Sequence, residues 1–155
     1  MTRTTLALGA ALLLAAFTAS CGDEEECVGD CECRGADCIC PASGDCAVNC
    51  VADCDIQCAG SGNCDFECGA GCLAECTSSG ECEVDVGAGS RVECTASGNC
   101  DIACHGDCTV RCSGSGDCIL RCDLGASCNM ESCSGEVTEC ADGITQICGR
   151  TGCPA

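Results

Sequence analysis

Cysteine is the residue type through which this chain could do chemistry: 27 of its 155 residues are Cys, against one His, 25 Asp or Glu, and six Arg with no Lys. Sulfur at that density either pairs into disulfides or binds soft metal as thiolate. The pairs Cys31-x-Cys33 and Cys38-x-Cys40 would suit a metal–thiolate cluster, and acidic charge would draw cations to it. Elsewhere the intervals are mostly Cys-x3-Cys, with an apolar residue between the two sulfurs. That pattern favours disulfides. The lone His105 falls between Cys104 and Cys108 and reads as an exposed turn residue rather than a ligand. One His and no Lys leave a Ser-His-Asp site, a His-based metal site and a P-loop without their parts. No enzyme activity, cofactor or metal is therefore expected, and a net charge of −19 opposes binding to nucleic acid.

The elements that must position the cysteines begin after a distinct leader. Met1–Thr5 carry one Arg and no acid, Leu6–Phe17 are apolar, and Thr18-Ala19-Ser20 are small residues before Cys21. This is the order of a secretory signal with a signal helix over 1–20, too short to stay as a membrane span. Small residues directly before Cys21 resemble the lipobox of bacterial lipoproteins, in which that Cys is lipidated and becomes the first mature residue. Thr18 stands where the lipobox usually has Leu, so ordinary cleavage stays open. Removing Cys21 leaves an even number of cysteines, as full pairing in an oxidising compartment requires. The acidic run that follows, within 21–30, reads as a solvated tether.

Five blocks of 18 residues then align: 43–60, 61–78, 79–96, 97–114 and 115–132, each opening Ser-Gly-Asx/Glx-Cys. A short fixed period with glycine-rich turns marks a solenoid. The grammar of a block is two Cys-x-Φ-x-Cys segments, altered in the third and fifth copies, where Φ is apolar: Val48, Ile56, Phe66, Ala74, Val84, Val92, Ile102, Val110, Leu120 and Met130. Period-two alternation makes these strands, with both sulfurs and the apolar residue facing inward. The spacing lacks a six-residue substructure, so two sides are preferred to a three-sided coil. The predicted fold is all-β, a disulfide-stapled parallel β-solenoid with 18 residues per coil. Its repeats span 31–135, and 136–155 form a cysteine-containing cap.

The third block keeps Cys82 and Cys94 but has Val86 and Ser90 at the inner positions. Their joint loss predicts that inner cysteines pair with each other and outer cysteines with each other. The nested bonds are then Cys46–Cys58 around Cys50–Cys54, Cys64–Cys76 around Cys68–Cys72, Cys82–Cys94 alone, and Cys100–Cys112 around Cys104–Cys108. The stretched fifth block gives Cys118–Cys133 around Cys122–Cys128, and a shortened leading coil gives Cys31–Cys40 around Cys33–Cys38. Cys27, Cys140, Cys148 and Cys153 are left unassigned.

Outward positions on the first strands stack carboxylates, Asp65/Glu67, Glu83/Asp85 and Asp101, at coil spacing. The expected role is solubility and protection from lateral association, with calcium relief as the rival. Ice binding would want rows of Thr, and only Thr109 is placed for it.

The lipobox-like Thr18-Ala19-Ser20-Cys21 together with repeated S-G-x-C-x-Φ-x-C units resembles the uncharacterised cysteine-rich tandem-repeat lipoproteins of myxobacteria and related soil bacteria. The resemblance covers nearly the whole chain and implies an envelope location without a known activity. Gly22 follows the lipidated Cys where an inner-membrane retention signal would have Asp, which favours the outer membrane or cell surface. The expected function is a non-enzymatic, lipid-anchored structural or interaction module of a bacterial envelope, bound to the membrane through its lipid and to a protein or surface polymer not specified by sequence. The alternative is an extracytoplasmic cation-binding or metal-sequestering protein.

Overall fold

The computed structural model describes residues 26–28, 32–34, 36–149 and 152–153. The expected signal helix, Cys21 and Cys31 lie outside the described residues; among the described residues every regular element is a strand. Alternation dictates the strands directly: along Cys64–Ala70, Cys64, Phe66 and Cys68 are buried while Asp65 and Glu67 are exposed. The first strands of the five coils, β4 (Cys46–Ala52), β6 (Cys64–Ala70), β8 (Cys82–Gly87), β10 (Cys100–His105) and β12 (Cys118–Cys122), stack in parallel as sheet A. The second strands, β5 (Asp55–Cys58), β7 (Leu73–Cys76), β9 (Arg91–Cys94), β11 (Cys108–Cys112) and β13 (Cys128–Cys133), stack in parallel as sheet B. Register steps by 18 residues, with Cys46 opposite Cys64 and Cys64 opposite Cys82. The fold is a two-sided parallel β-solenoid of five coils, roughly 25 Å along the stack at about 4.8 Å per coil.

Both ends close with antiparallel strands. β1 (Glu26–Val28) lies against β4, and β2 (Glu32–Arg34) forms a hairpin with β3 (Asp37–Ile39), which joins β5 in parallel. The 21–30 stretch expected as a tether thus contributes an edge strand. The leading segment 31–40 is a hairpin rather than a short coil, because ten residues cannot supply two strands and two turns. At the far end β15 (Thr145–Cys148) lies antiparallel on β12, and β14 (Val137–Glu139) pairs with β15. Sheet B ends on β13, whose register slips after Met130 so that Glu131 has no strand partner. Such a bulge with an outward charge blunts an open edge.

The core is one residue deep from each sheet. Val48, Phe66, Val84, Ile102 and Leu120 from sheet A meet Ile56, Ala74, Val92, Val110 and Met130 from sheet B, and all are buried. Volume is balanced within a coil. The one aromatic among these ten, Phe66, shares its coil with Ala74, the smallest of them, and both are fully buried.

The glycine that follows the opening Ser of the second to fifth blocks has a steric cause. Gly62, Gly80, Gly98 and Gly116 stack so closely that a Cβ on any of them would overlap the carbonyl oxygen of the glycine one coil below. The next residue binds the coils laterally: the backbone N–H of Asn63 donates to Asp45 Oδ1 (2.9 Å), that of Glu81 to Asn63 Oδ1 (3.0 Å) and that of Asp117 to Asn99 Oδ1 (3.1 Å). A short amide or carboxylate reaches that N–H, so the position favours Asn and Asp.

Gly98→Ala is expected to destabilise the oxidised protein by at least about 1–3 kcal/mol, since the stacked backbone cannot yield as a side chain would. Gly135→Ala, where a Cβ meets open space, should be near neutral. Thermal unfolding of the two variants side by side checks this, and equal melting temperatures would overturn the steric account.

Candidate functional site

Every bend of the solenoid is closed by sulfur, except one. At the inner turns, from sheet A to sheet B, the bonds are Cys50–Cys54, Cys68–Cys72, Cys104–Cys108 and Cys122–Cys128. At the outer turns, from sheet B to the next strand of sheet A, they are Cys40–Cys46, Cys58–Cys64, Cys76–Cys82, Cys94–Cys100 and Cys112–Cys118. The bonded Cα atoms at these turns stand 5.8 to 6.6 Å apart, within disulfide reach.

The outer cysteines therefore do not pair within a coil. Cys46–Cys58, Cys64–Cys76, Cys82–Cys94, Cys100–Cys112 and Cys118–Cys133 are replaced by bonds to the next coil, and Cys40 joins Cys46 rather than Cys31. The cause is the climb of the chain: each outer cysteine has a possible partner in its own coil and one in the next. The next-coil partner closes a six-residue rather than a twelve-residue loop, at lower entropic cost. Cys38 is disulfide-bonded and opposes Cys33 in register, while the Cys31 part of that expectation lies outside the described residues.

The C-terminal cysteines extend the same rule. Antiparallel pairing sets Cys148 opposite Cys118, where a sixth coil would place its first cysteine, and Cys148 bonds Cys133. Cys140–Cys153 fastens the cap.

At the exceptional bend, Val86 and Ser90 are both buried. Ser90 Oγ accepts from the Cys72 N–H (3.1 Å) and donates to the Gly69 carbonyl (3.3 Å), so a hydroxyl links this turn to the coil below. Sequence comparison marked the missing bond but gave no sign of this replacement.

Among the described residues, the groups of three metal-capable atoms within 4.8 Å of one another are all cysteine: Cys50, Cys54 and Cys68; Cys64, Cys76 and Cys82; Cys104, Cys108 and Cys128. Each is a disulfide with one sulfur of a neighbouring disulfide against it. In the oxidised chain these atoms offer no thiolate.

The outer faces carry different charge patterns. On sheet B, Arg111 reaches Glu93 (3.5 Å) and Glu131 (3.0 Å), and Arg91 pairs with Glu93 (2.9 Å), so two arginines tie the acids of the later coils, while Glu75 stands in register with Glu93. On sheet A the predicted column Asp65, Glu83, Asp101 stands in register, with Glu67 beside Asp85. Salt bridges among the described residues neutralise this side only toward its C-terminal end, where Arg121 pairs with Asp101 and His105 with Asp85 (2.9 Å) and Asp123 (3.3 Å). A groove of about 690 Å³ runs beside the column, walled by Asp65, Glu83 and Asp101 and by the turn residues Asp45, Glu81 and Asp117.

His105 is exposed at its turn, as expected, but it spans three coils. Hydrogen bonds donated by the ring to Asp85 and then Asp123 favour the imidazolium and raise its pKa above 6.5. Its contribution to stability is present in full below that ordinary value and fades as pH rises through the elevated folded one. Solvent holds each contact to about 1 kcal/mol or less.

This density of disulfides fits an oxidising, extracytoplasmic compartment. No protein-family model, curated protein or solved structure matches the chain.

Paired removal separates the two bonding schemes. Cys58→Ala with Cys64→Ser should add no free thiol to those of the unaltered protein after oxidative folding, whereas Cys64→Ser with Cys76→Ala should add two, on Cys58 and Cys82. Thiol titration of the folded variants gives the count, and the reverse pattern would restore pairing within coils.

Proposed function

We propose that the chain is an exported, non-enzymatic structural or interaction module of a bacterial cell envelope, anchored by lipid on Cys21 at the outer membrane or cell surface. One observation carries the reading: a covalently fastened rod whose sheet A presents carboxylates in register beside a long acidic groove. Rigid repetition of charge along a face suits presentation of a surface more than turnover of a substrate. The leader-like segment before Cys21 supplies the anchor, and the disulfides agree with passage into an oxidising space. The resemblance to cysteine-rich tandem-repeat lipoproteins belongs to the same proposal. The acidic face fits a cationic patch on a protein or surface polymer, and it repels nucleic acid.

The groove favours a second reading, cation binding along the carboxylate column. Its carboxylates rise one coil at a time, and no three of them converge within 4.8 Å among the described residues. Calcium draws six to eight oxygens into one shell, so a column of this spacing supports diffuse attraction better than a closed site.

In cells that process lipoproteins, Cys21→Ser should move the protein from the membrane fraction to the soluble fraction or halt its maturation, because the acyl chains supply the membrane affinity. Fractionation unchanged by Cys21→Ser would remove the anchor from the proposal. Millimolar calcium should raise the melting temperature no more than sodium chloride at equal ionic strength. A calcium-specific rise would put the cation-binding reading first.

A further inference from the structure

The disulfide of the fifth inner turn differs from the others in exposure and surroundings. Cys50, Cys54, Cys68, Cys72, Cys104 and Cys108 are buried, at 5% exposure or less, whereas Cys122 and Cys128 are both half-buried. Two extra residues widen this turn, and Leu124 at its tip is 87% exposed. No parallel coil follows: β15 covers β12, but β13, which begins at Cys128, is the open edge of sheet B. A cavity of about 150 Å³ opens here, with Cys122 and Cys128 in its wall beside Asp123 and Glu139. On its inner side the Cys128 sulfur lies within 4.8 Å of the sulfurs of the buried Cys104–Cys108 bond.

We propose that Cys122–Cys128 is a thiol–disulfide exchange site for an external thiol of neutral or positive charge, and that Cys128 passes the exchange inward to Cys104–Cys108. An incoming thiolate bonds the Cys122 sulfur, and the Cys122–Cys128 bond breaks with its electron pair leaving on Cys128. Coil-four sulfurs pack against Cys128, which leaves Cys122 the sulfur with room for in-line approach. The Cys128 thiolate, released from its tether, closes the remaining ångström or so to attack distance. It bonds one sulfur of Cys104–Cys108 and expels the other as thiolate, which takes a proton from water. One external thiol has then become a mixed disulfide on Cys122, a cross-coil bond has formed, and one thiol has appeared in coil four. The relay ends there. Val86 and Ser90 interrupt the inner column, so the bonds Cys50–Cys54 and Cys68–Cys72 are out of its reach. Asp123 and Glu139 repel an anionic thiol, which sets the preference for neutral or cationic ones.

The test uses the full oxidised protein and 2-mercaptoethanol in brief, limited exposure, followed by acid quenching, alkylation and mass spectrometric mapping. Cys153 is exposed, so opening of Cys140–Cys153 is expected alongside and bears on neither outcome. The expected product carries the mercaptoethanol adduct on Cys122 and the alkyl group on Cys104 or Cys108, with Cys128 bonded to the other. An alkylated Cys128 beside an intact Cys104–Cys108 bond overturns the relay, and absence of any Cys122 adduct overturns the site. At low salt and equal thiolate concentration, cysteamine should react at least threefold faster, and 3-mercaptopropionate at least threefold slower, than mercaptoethanol. Equal rates overturn the charge preference. Cys122→Val with Cys128→Ser copies Val86 and Ser90 two coils along the same column. In that variant Cys104–Cys108 should open at least tenfold more slowly than in the unaltered protein, and an unchanged rate overturns the inward step even if the first exchange stands.

Discussion

Two sheets whose facing layers each contribute one aliphatic residue and two sulfurs per coil cannot hold a rod together by burial alone. The apolar columns contain a single ring, Phe66, and no Trp or Tyr exists in the chain to enlarge them. Covalent closure of the bends is the constraint on which the remaining features rest. A loop of four to six residues, once closed, removes about 2 kcal/mol of chain entropy from the unfolded state. Because each closure fixes where a strand ends and the next begins, the strands can be short, the core thin and the turns tight. The coil that lacks an inner disulfide retains its shape with Val86 in the core and the Ser90 hydroxyl bonded to backbone in the coil below.

Stacking then turns local choices into ladders. A glycine is imposed wherever the coil below presents its carbonyl at that spot, and an Asx side chain that accepts from the next coil's N–H is useful only where another coil follows. Identity along the stack costs charge repulsion on the outside, where Asp65, Glu83 and Asp101 come into register. Sheet B relieves part of the same repulsion with Arg91 and Arg111, and sheet A with Arg121 and His105, in both cases in the later coils. The charge pattern of each face therefore arises from side chains that the turns and core leave unconstrained.

Coil length, strand pairing, inward cysteines and the all-β architecture are legible in the sequence because each is written five times. The inner disulfides have a natural control in the joint loss at Val86 and Ser90. The outer bonds have none, since Cys82 and Cys94 are present under either scheme, and only the climb of the chain decides that Cys76 takes Cys82 and Cys94 takes Cys100. The caps escape sequence reading for a related cause. Antiparallel strands such as β1 and β15 follow no repeat, and the place of Cys148 becomes clear only when β15 is seen lying on β12. The span of His105 from Asp85 to Asp123 depends on residues 20 and 18 positions away that no local motif connects.

The bonds from Cys40–Cys46 through Cys122–Cys128 join cysteines that are consecutive in the chain, each to the next available one. A polypeptide threading outward through a membrane presents its thiols in that same order. An oxidant working at the point of emergence would thus make native bonds by joining each newly arrived sulfur to the one just before it, and the rod could lengthen coil by coil during translocation with no reshuffling. The interleaved pairs Cys133–Cys148 and Cys140–Cys153 break the sequence at its end. They wait for cysteines 13 and 15 residues further along the chain, so in such an order the terminal cap is sealed last, after the coils it covers are already stapled.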